Sequence, residues 1–253
     1  MAEDRGVQSV ERIFQIIEVL SRHPAGVNLQ TVAQETGLAK STAHRLLASL
    51  THLGYAMQDS VTAQYKMTLK MFEISSGVVN DMDIMSTAKL HLDRLAQRTG
   101  EAVHLVIRDG KDIVYIYKAV GSPVRMSSRM GLRAPLYCTG VGKAILATLP
   151  MYMVKDIWDE STIQKLTRNT VVDWNVFTEQ LKQVNARGYA VDDEENELGI
   201  RCVAVAIPGP GGKAESAFSI SGLVPYMTEK RQREIAQMAM EARDDILRDM
   251  GLT

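Results

Sequence analysis

Between Gly37 and Gly54 the chain carries Lys40, His44, Arg45 and His52, no acidic residue, and a Ser41-Thr42 pair near the head of the segment. One chemistry suits those types in that order, the reading of duplex DNA. Hydroxyls in the first turn of a helix meet phosphate oxygens beside the open backbone N–H groups. One turn further on, Arg45 can reach guanine O6 and N7 together, and His44 a base edge or a phosphate. Lys66 can reach a flanking phosphate, and Gln64 and Tyr65 a sugar or groove edge. A solvated helix face and a protein-interaction module are the plainer alternatives, and charge alone does not separate them from DNA binding. His52 falls late in the helix and His23 at a helix end, and neither is given a role.

The second half holds other reactive types. Cys202 with His104 could form a thiol nucleophile and its base, but no nearby motif activates the thiol. A small buried residue at the start of a strand is the simpler expectation. Asp192-Asp193-Glu194-Glu195-Asn196-Glu197 resembles a metal-binding run. It lacks the alternating ligands, central glycine and closing glutamate of a calcium loop, so a solvated turn is expected. Gly140-Val141-Gly142-Lys143 resembles part of a phosphate loop, yet the full G-x-x-x-x-G-K-S/T is absent and Ala144 follows the lysine. What remains is a helix start whose N–H groups suit an anion such as a carboxylate.

Periodicity supplies the elements that must position these groups. Val10, Ile13, Phe14, Ile17 and Leu20 predict a helix over about 8–22, stopped by His23-Pro24-Ala25-Gly26. Leu29, Val32 and Ala33 predict a second helix closed by Gly37, and Ala43, Leu46, Leu47 and Leu50 a third over about 40–53, ended by Gly54. Tyr55–Gln58 and Gln64–Met67 alternate as strands around Asp59-Ser60-Val61-Thr62, which completes the order of a winged helix-turn-helix. Residues 1–80 hold seven basic and seven acidic residues, so positive charge is confined to the third helix and the wing. A connecting helix is expected over Met82–Arg98. Beyond it, Ala102–Ile107 and Ile113–Val120 form a hairpin at Asp109-Gly110. Helices over Val141–Leu149, Val176–Arg187 and Met227–Met250 interleave with strands Val203–Ile207 and Ala217–Leu223. That pattern is α+β, an antiparallel sheet with helical cover.

Composition narrows the class. The chain has 253 residues, 45% hydrophobic and 23% charged, which excludes wholesale disorder. Its 29 Lys and Arg against 30 Asp and Glu exclude a histone-like basic protein, though not DNA binding by one local face. Cys138 and Cys202 alone build no disulfide framework. The acidic start lacks a secretory signal's basic region and apolar run, and no stretch of about 18 apolar residues occurs, so a cytoplasmic protein without a membrane span is expected.

VQSVERIFQIIEVL, LQTVAQETGLAKSTAHRLLASLTHLGY and QYKMTLKMFEI resemble the DNA-binding half of the IclR family of bacterial transcriptional regulators. APLYCTGVGKAILA, LTRNT, ARGYAVDDEENELGIRCVAVAI and AFSISG resemble that family's effector domain, and the resemblance spans nearly the whole chain. VYIYKAVGSPVRMSSRMGLRAPLYCTGVGK is most similar to the family's sugar-acid branch, regulators of ketodeoxygluconate-type catabolism. The resemblance implies a winged helix-turn-helix over 7–70, a linker helix region over 71–100 and a GAF/PAS-like antiparallel-sheet effector domain over 101–253. It implies a regulator rather than an enzyme, with a double-stranded DNA operator, a small organic acid effector and further copies of itself, as dimer or tetramer, for partners. DNA contacts fall to Lys40, Ser41, Thr42, His44, Arg45 and Lys66. The effector site falls to Gly140, Val141, Asp192, Cys202, Ser219 and Ser221, with Met126 and Ser128 at its border. No cofactor is expected and no metal, although pockets of this family can hold one. An enzyme that binds a small molecule and carries an appended helical module is the alternative, and a protein-interaction adaptor a third.

Overall fold

Helices α1 (Gln8–Arg22), α2 (Leu29–Thr36) and α3 (Lys40–His52) pack through Ile16, Leu20, Val32, Ala43, Leu47 and Leu50 into one small core. The computed structural model describes residues 7–74, 83–119 and 129–252. The chain divides into two compact units, Met1–Asp81 and Met82–Thr253. Asn28 caps α2 by accepting from the Thr31 N–H at 2.9 Å, and Gly37, at φ 66°, turns the chain out of it into α3. The end of α3 is tied by side chains from beyond the wing. Lys70 Nζ donates to the Leu53 carbonyl at 2.8 Å, and Thr68 Oγ1 donates to that of Gly54 at 2.5 Å. Strands β1 (Ala56–Gln58) and β2 (Tyr65–Met67) pair antiparallel. Their turn is held by Asp59 Oδ1, which accepts from the N–H groups of Val61 and Thr62 at 2.9 and 2.8 Å.

The second unit is built on a six-stranded antiparallel sheet in the order β5-β4-β3-β8-β7-β6. Its strands are β3 (Ala102–Asp109), β4 (Asp112–Ala119), β5 (Arg133–Pro135), β6 (Ala190–Asp193), β7 (Ile200–Pro208) and β8 (Ala214–Leu223). Residues alternate between the two faces, as strand geometry requires. Leu105, Val205, Phe218 and Ile220 meet α4 (Asp83–Thr99) and α8 (Glu229–Asp249) on one face. Val106, Ala204 and Ala217 turn to the other, under α5 (Gly140–Leu146), α6 (Met151–Glu160) and α7 (Trp174–Arg187).

Several expected elements shift. The expected helix start at Met82 and strand end at Val120 lie outside the described residues, as do Met126 and Ser128. The helix expected over Val141–Leu149 runs from Gly140 to Leu146. The long terminal helix begins at Glu229 rather than Met227, because a 3-10 turn at Val224–Tyr226 precedes it and Thr228 caps it. Helix α6 and strands β5 and β6 were not expected. They are short, and β6 ends in the first two residues of the acidic run, where composition argues against a strand.

Candidate functional site

On α3, Ala43, Leu46, Leu47 and Leu50 are buried, which turns Lys40, Ser41, His44 and Arg45 to solvent, with Thr42 half-buried. Ala48 and Ser49 continue the exposed stripe one turn on, and Ser49 Oγ donates to the Arg45 carbonyl at 3.1 Å. Their small size keeps the surface beside Arg45 low, a feature that the sequence reading passed over because neither residue carries charge. Lys66 lies half-buried on β2. This unit thus presents one helix face of hydroxyl, imidazole and guanidinium groups.

The second unit contains a cavity of about 460 Å³ on the α5 side of its sheet. Strand register explains its lining. Asp192, Cys202 and Ser221 are successive partners across β6, β7 and β8, and Ala204, Ser219 and His104 form the next row. Gly140 and Val141 at the start of α5 add to the lining, so all the expected effector residues border the same cavity. Gly140 is packed close. A Cβ there would stand 3.3 Å from that of Ala204 and 3.4 Å from that of Asp192. Gly142 is closer still, since a Cβ would fall 2.1 Å from the Leu136 carbonyl oxygen. The glycines that suggested a phosphate loop therefore let a short helix settle onto its neighbours.

Lys143, which completes that segment, is buried in an ion pair with Glu195, and its Nζ lies 3.4 Å from Gln180 Oε1. Here the expectation of a solvated turn fails. Asp192 and Glu195 are both buried, because β6 carries the first into the sheet and Lys143 neutralises the second. Thr167 and Thr170 clamp the same turn, with Thr167 Oγ1 donating to the Glu194 carbonyl at 2.6 Å and Thr170 Oγ1 to that of Glu195 at 2.7 Å.

Burial sets the protonation of the cavity wall. It pushes the Asp192 carboxyl up to about 7, against the pull of Lys143 and of the Glu195 N–H that bonds Oδ1 at 2.8 Å. It pulls His104 down to about 4, so the ring is neutral, with Nδ1 3.4 Å from Ser221 Oγ. The Cys202 thiol is raised by the same desolvation, and Cys138 is raised to about 12. A protonated thiol beside a weakly basic imidazole is no nucleophile–base pair.

Tyr115, Thr139, Asn196 and Glu197 also line the cavity, and residue spacing did not reveal them. Tyr115 arrives through a bulge: Leu105 pairs with Tyr117 and Val106 with Tyr115, leaving Ile116 as the extra residue. Its ring then meets that of His104 edge-on, with centroids 5.6 Å apart. Thr139 had a readable signal as the residue before the glycine helix, and its Oγ1 accepts from the Gly142 N–H at 3.1 Å. Among the described residues no group of three His, Cys, Asp or Glu side chains is placed to hold a metal, and no helix is long and apolar enough to cross a membrane.

Residues 9–60 match the IclR helix-turn-helix domain, and residues 76–248 match the bacterial transcriptional regulator IclR C-terminal domain. The chain belongs to the IclR family. It is a transcriptional regulator with a DNA-binding helix-turn-helix and a C-terminal effector domain, not an enzyme. Among its IclR relatives, the HTH-type transcriptional regulator KdgR of Escherichia coli K12 is 32% identical over 97% of this chain and 93% of that protein. The HTH-type transcriptional repressor AllR of Salmonella typhimurium is likewise 32% identical, over 98% and 92%. The crystal structure of IclR from Thermotoga maritima superposes with a TM-score of 0.84 at 32% identity, covering 96% of this chain and 99% of that one. KdgR and AllR stand at equal identity, so identity selects no branch of the family.

Proposed function

We propose that this IclR-type regulator is a cytoplasmic repressor, active as a dimer or tetramer, that releases its operator when a small hydroxylated organic acid fills the cavity. The observation that carries the reading is the cavity wall itself, where Asp192, Ser219, Ser221 and His104 converge from three strands on one cavity. Two hydroxyls, a neutral imidazole and a carboxyl near its protonation midpoint suit the hydroxyl and keto oxygens of a sugar acid better than an aromatic ring. Cys202 supplies a small lining surface, and Gly140 and Val141 complete the lining from the start of α5. On the other unit, α3 enters the major groove. Ser41, Thr42 and Lys40 lie near phosphates, Arg45 and His44 near base edges, and Lys66 near a flanking phosphate.

The test titrates 2-keto-3-deoxygluconate against a labelled fragment of the regulator's own upstream region, with wild type beside the Ser219→Ala, Ser221→Ala double variant. Each lost buried donor costs about 1–3 kcal/mol, so the variant requires at least about tenfold more acid to release DNA. Operator binding without acid is unchanged. Superimposable release curves remove the serines from the site, and release by 4-hydroxybenzoate alone removes the sugar-acid class.

A further inference from the structure

We propose that an acid enters this cavity with one proton shared between its carboxylate and Asp192, so that Asp192 admits monoanions and rejects dianions. This inference rests on the reading of the cavity as an organic-acid site.

Hydrogen bonds from described residues reach Asp192 through Oδ1, which accepts from the Glu195 N–H at 2.8 Å and the Asn196 N–H at 3.4 Å. Its side chain lines the cavity and is otherwise shut from solvent. The groups around it come from every neighbouring element: Lys143 on α5, Glu195 and Glu197 in the turn after β6, Cys202 on β7, His104 on β3, Tyr115 and, opposite His104, Lys118 on β4, and Arg133 on β5. The cations among them are already engaged. Lys143 is paired with Glu195, Arg133 bonds Asp109 at 2.7 Å and lies 3.5 Å from Asp112, and Lys118 is not free either. The thiol of Cys202 and the hydroxyl of Tyr115 are held protonated by burial, and His104 is neutral.

A cavity of about 460 Å³ is only about 10 Å across and Asp192 stands on its lining, so a small acid that fills it can set its carboxylate against that side chain. Two ionised carboxyls brought together there, where the cations among the described residues already have partners, repel one another, and one takes a proton. Burial has already brought the empty cavity's Asp192 close to that point, at about 7, and an incoming anion raises it further. The proton comes from solvent and resides on the shared hydrogen bond, and no covalent bond changes. A second carboxylate on the ligand would demand a second proton, which is the physical basis for rejecting dianions.

Affinity is therefore flat below about pH 7 and weakens tenfold per unit above it. Isothermal calorimetry on the full-length protein tests this with 2-keto-3-deoxygluconate and gluconate as monoanions and 2-oxoglutarate as a dianion. All three stay fully ionised across pH 6–9. Runs in phosphate and in Tris, buffers of different ionisation enthalpy, count the protons taken up. Close to one proton above pH 7, the tenfold slope, and no binding of the dianion support the proposal. Asp192→Asn, which keeps the shape and adds a donor, then binds with no pH slope. No proton uptake by wild type, or dianion binding equal to monoanion binding, overturns the sharing and leaves the acid site standing. Failure of all three acids to bind wild type at any pH overturns the sugar-acid reading and this inference with it. The wild-type proton count decides whether or not Asp192→Asn folds.

Discussion

In the proposed reading Arg45 and Lys66 make two kinds of DNA contact, one to a base and one to a phosphate. Arg45→Ala costs about 1–3 kcal/mol against the operator and relaxes one base position, because a bidentate arginine is worth that much discrimination. Lys66→Ala weakens binding to all sequences and reduces the slope of log K against log salt by about one. Gel shifts over a salt series, on operator and on scrambled duplex, check both. In the cavity, Asp192 and His104 pull stability in opposite directions with pH. Asp192 binds its proton more tightly in the folded chain, so its contribution falls as pH rises from the ordinary carboxylate range through about 7. His104 binds its proton less tightly when folded, so its contribution falls as pH drops from about 6.5 through about 4. Relative to wild type, Asp192→Asn therefore gains stability as pH rises to 7, and His104→Gln gains it as pH falls to 4. Urea titrations across that range read the two trends, and parallel curves would contradict the burial of either group.

At the scale of elements, the Lys143–Glu195 pair fastens α5 to the turn after β6. Removing one partner strands a buried charge, so Lys143→Met costs about 3–5 kcal/mol, whereas Lys143→Met with Glu195→Gln costs clearly less. Thermal melts of the two variants check the difference. The same pair shows where sequence ceases to be legible. Helix α3 and the β3–β4 hairpin could be read because their signals are local: apolar spacing in one, Asp109-Gly110 in the other. The fate of the acidic run could not. Whether Glu195 faces water or a lysine depends on a residue 52 positions away, and no window on the sequence contains both. Tyr115 escaped for a related reason, since a bulge that reverses a side chain leaves the alternation of its strand looking ordinary. The pair Ser219 and Ser221 was accessible, because two residues apart on a strand is enough to place both on one face.

For the molecule as a whole, coupling between acid and operator must run both ways. If the acid lowers operator affinity by some factor, saturating operator lowers acid affinity by the same factor. Calorimetry of the acid with and without bound duplex measures this, and unequal factors would mean that more than one linked equilibrium is present. The sheet adds a consequence in time. Its central strands β3 and β8 are neighbours in space, with Ala102 opposite Ser221, yet lie near opposite ends of their unit in sequence. Translation at about 5–20 residues per second leaves roughly 7–30 s between the synthesis of the wing and that of β8. During that interval a nascent chain carries a finished reading helix, while β3 shows an unpaired edge of the kind that chaperones cover. A ribosome stalled before Ala214 thus yields a DNA-reading unit that is deaf to any effector.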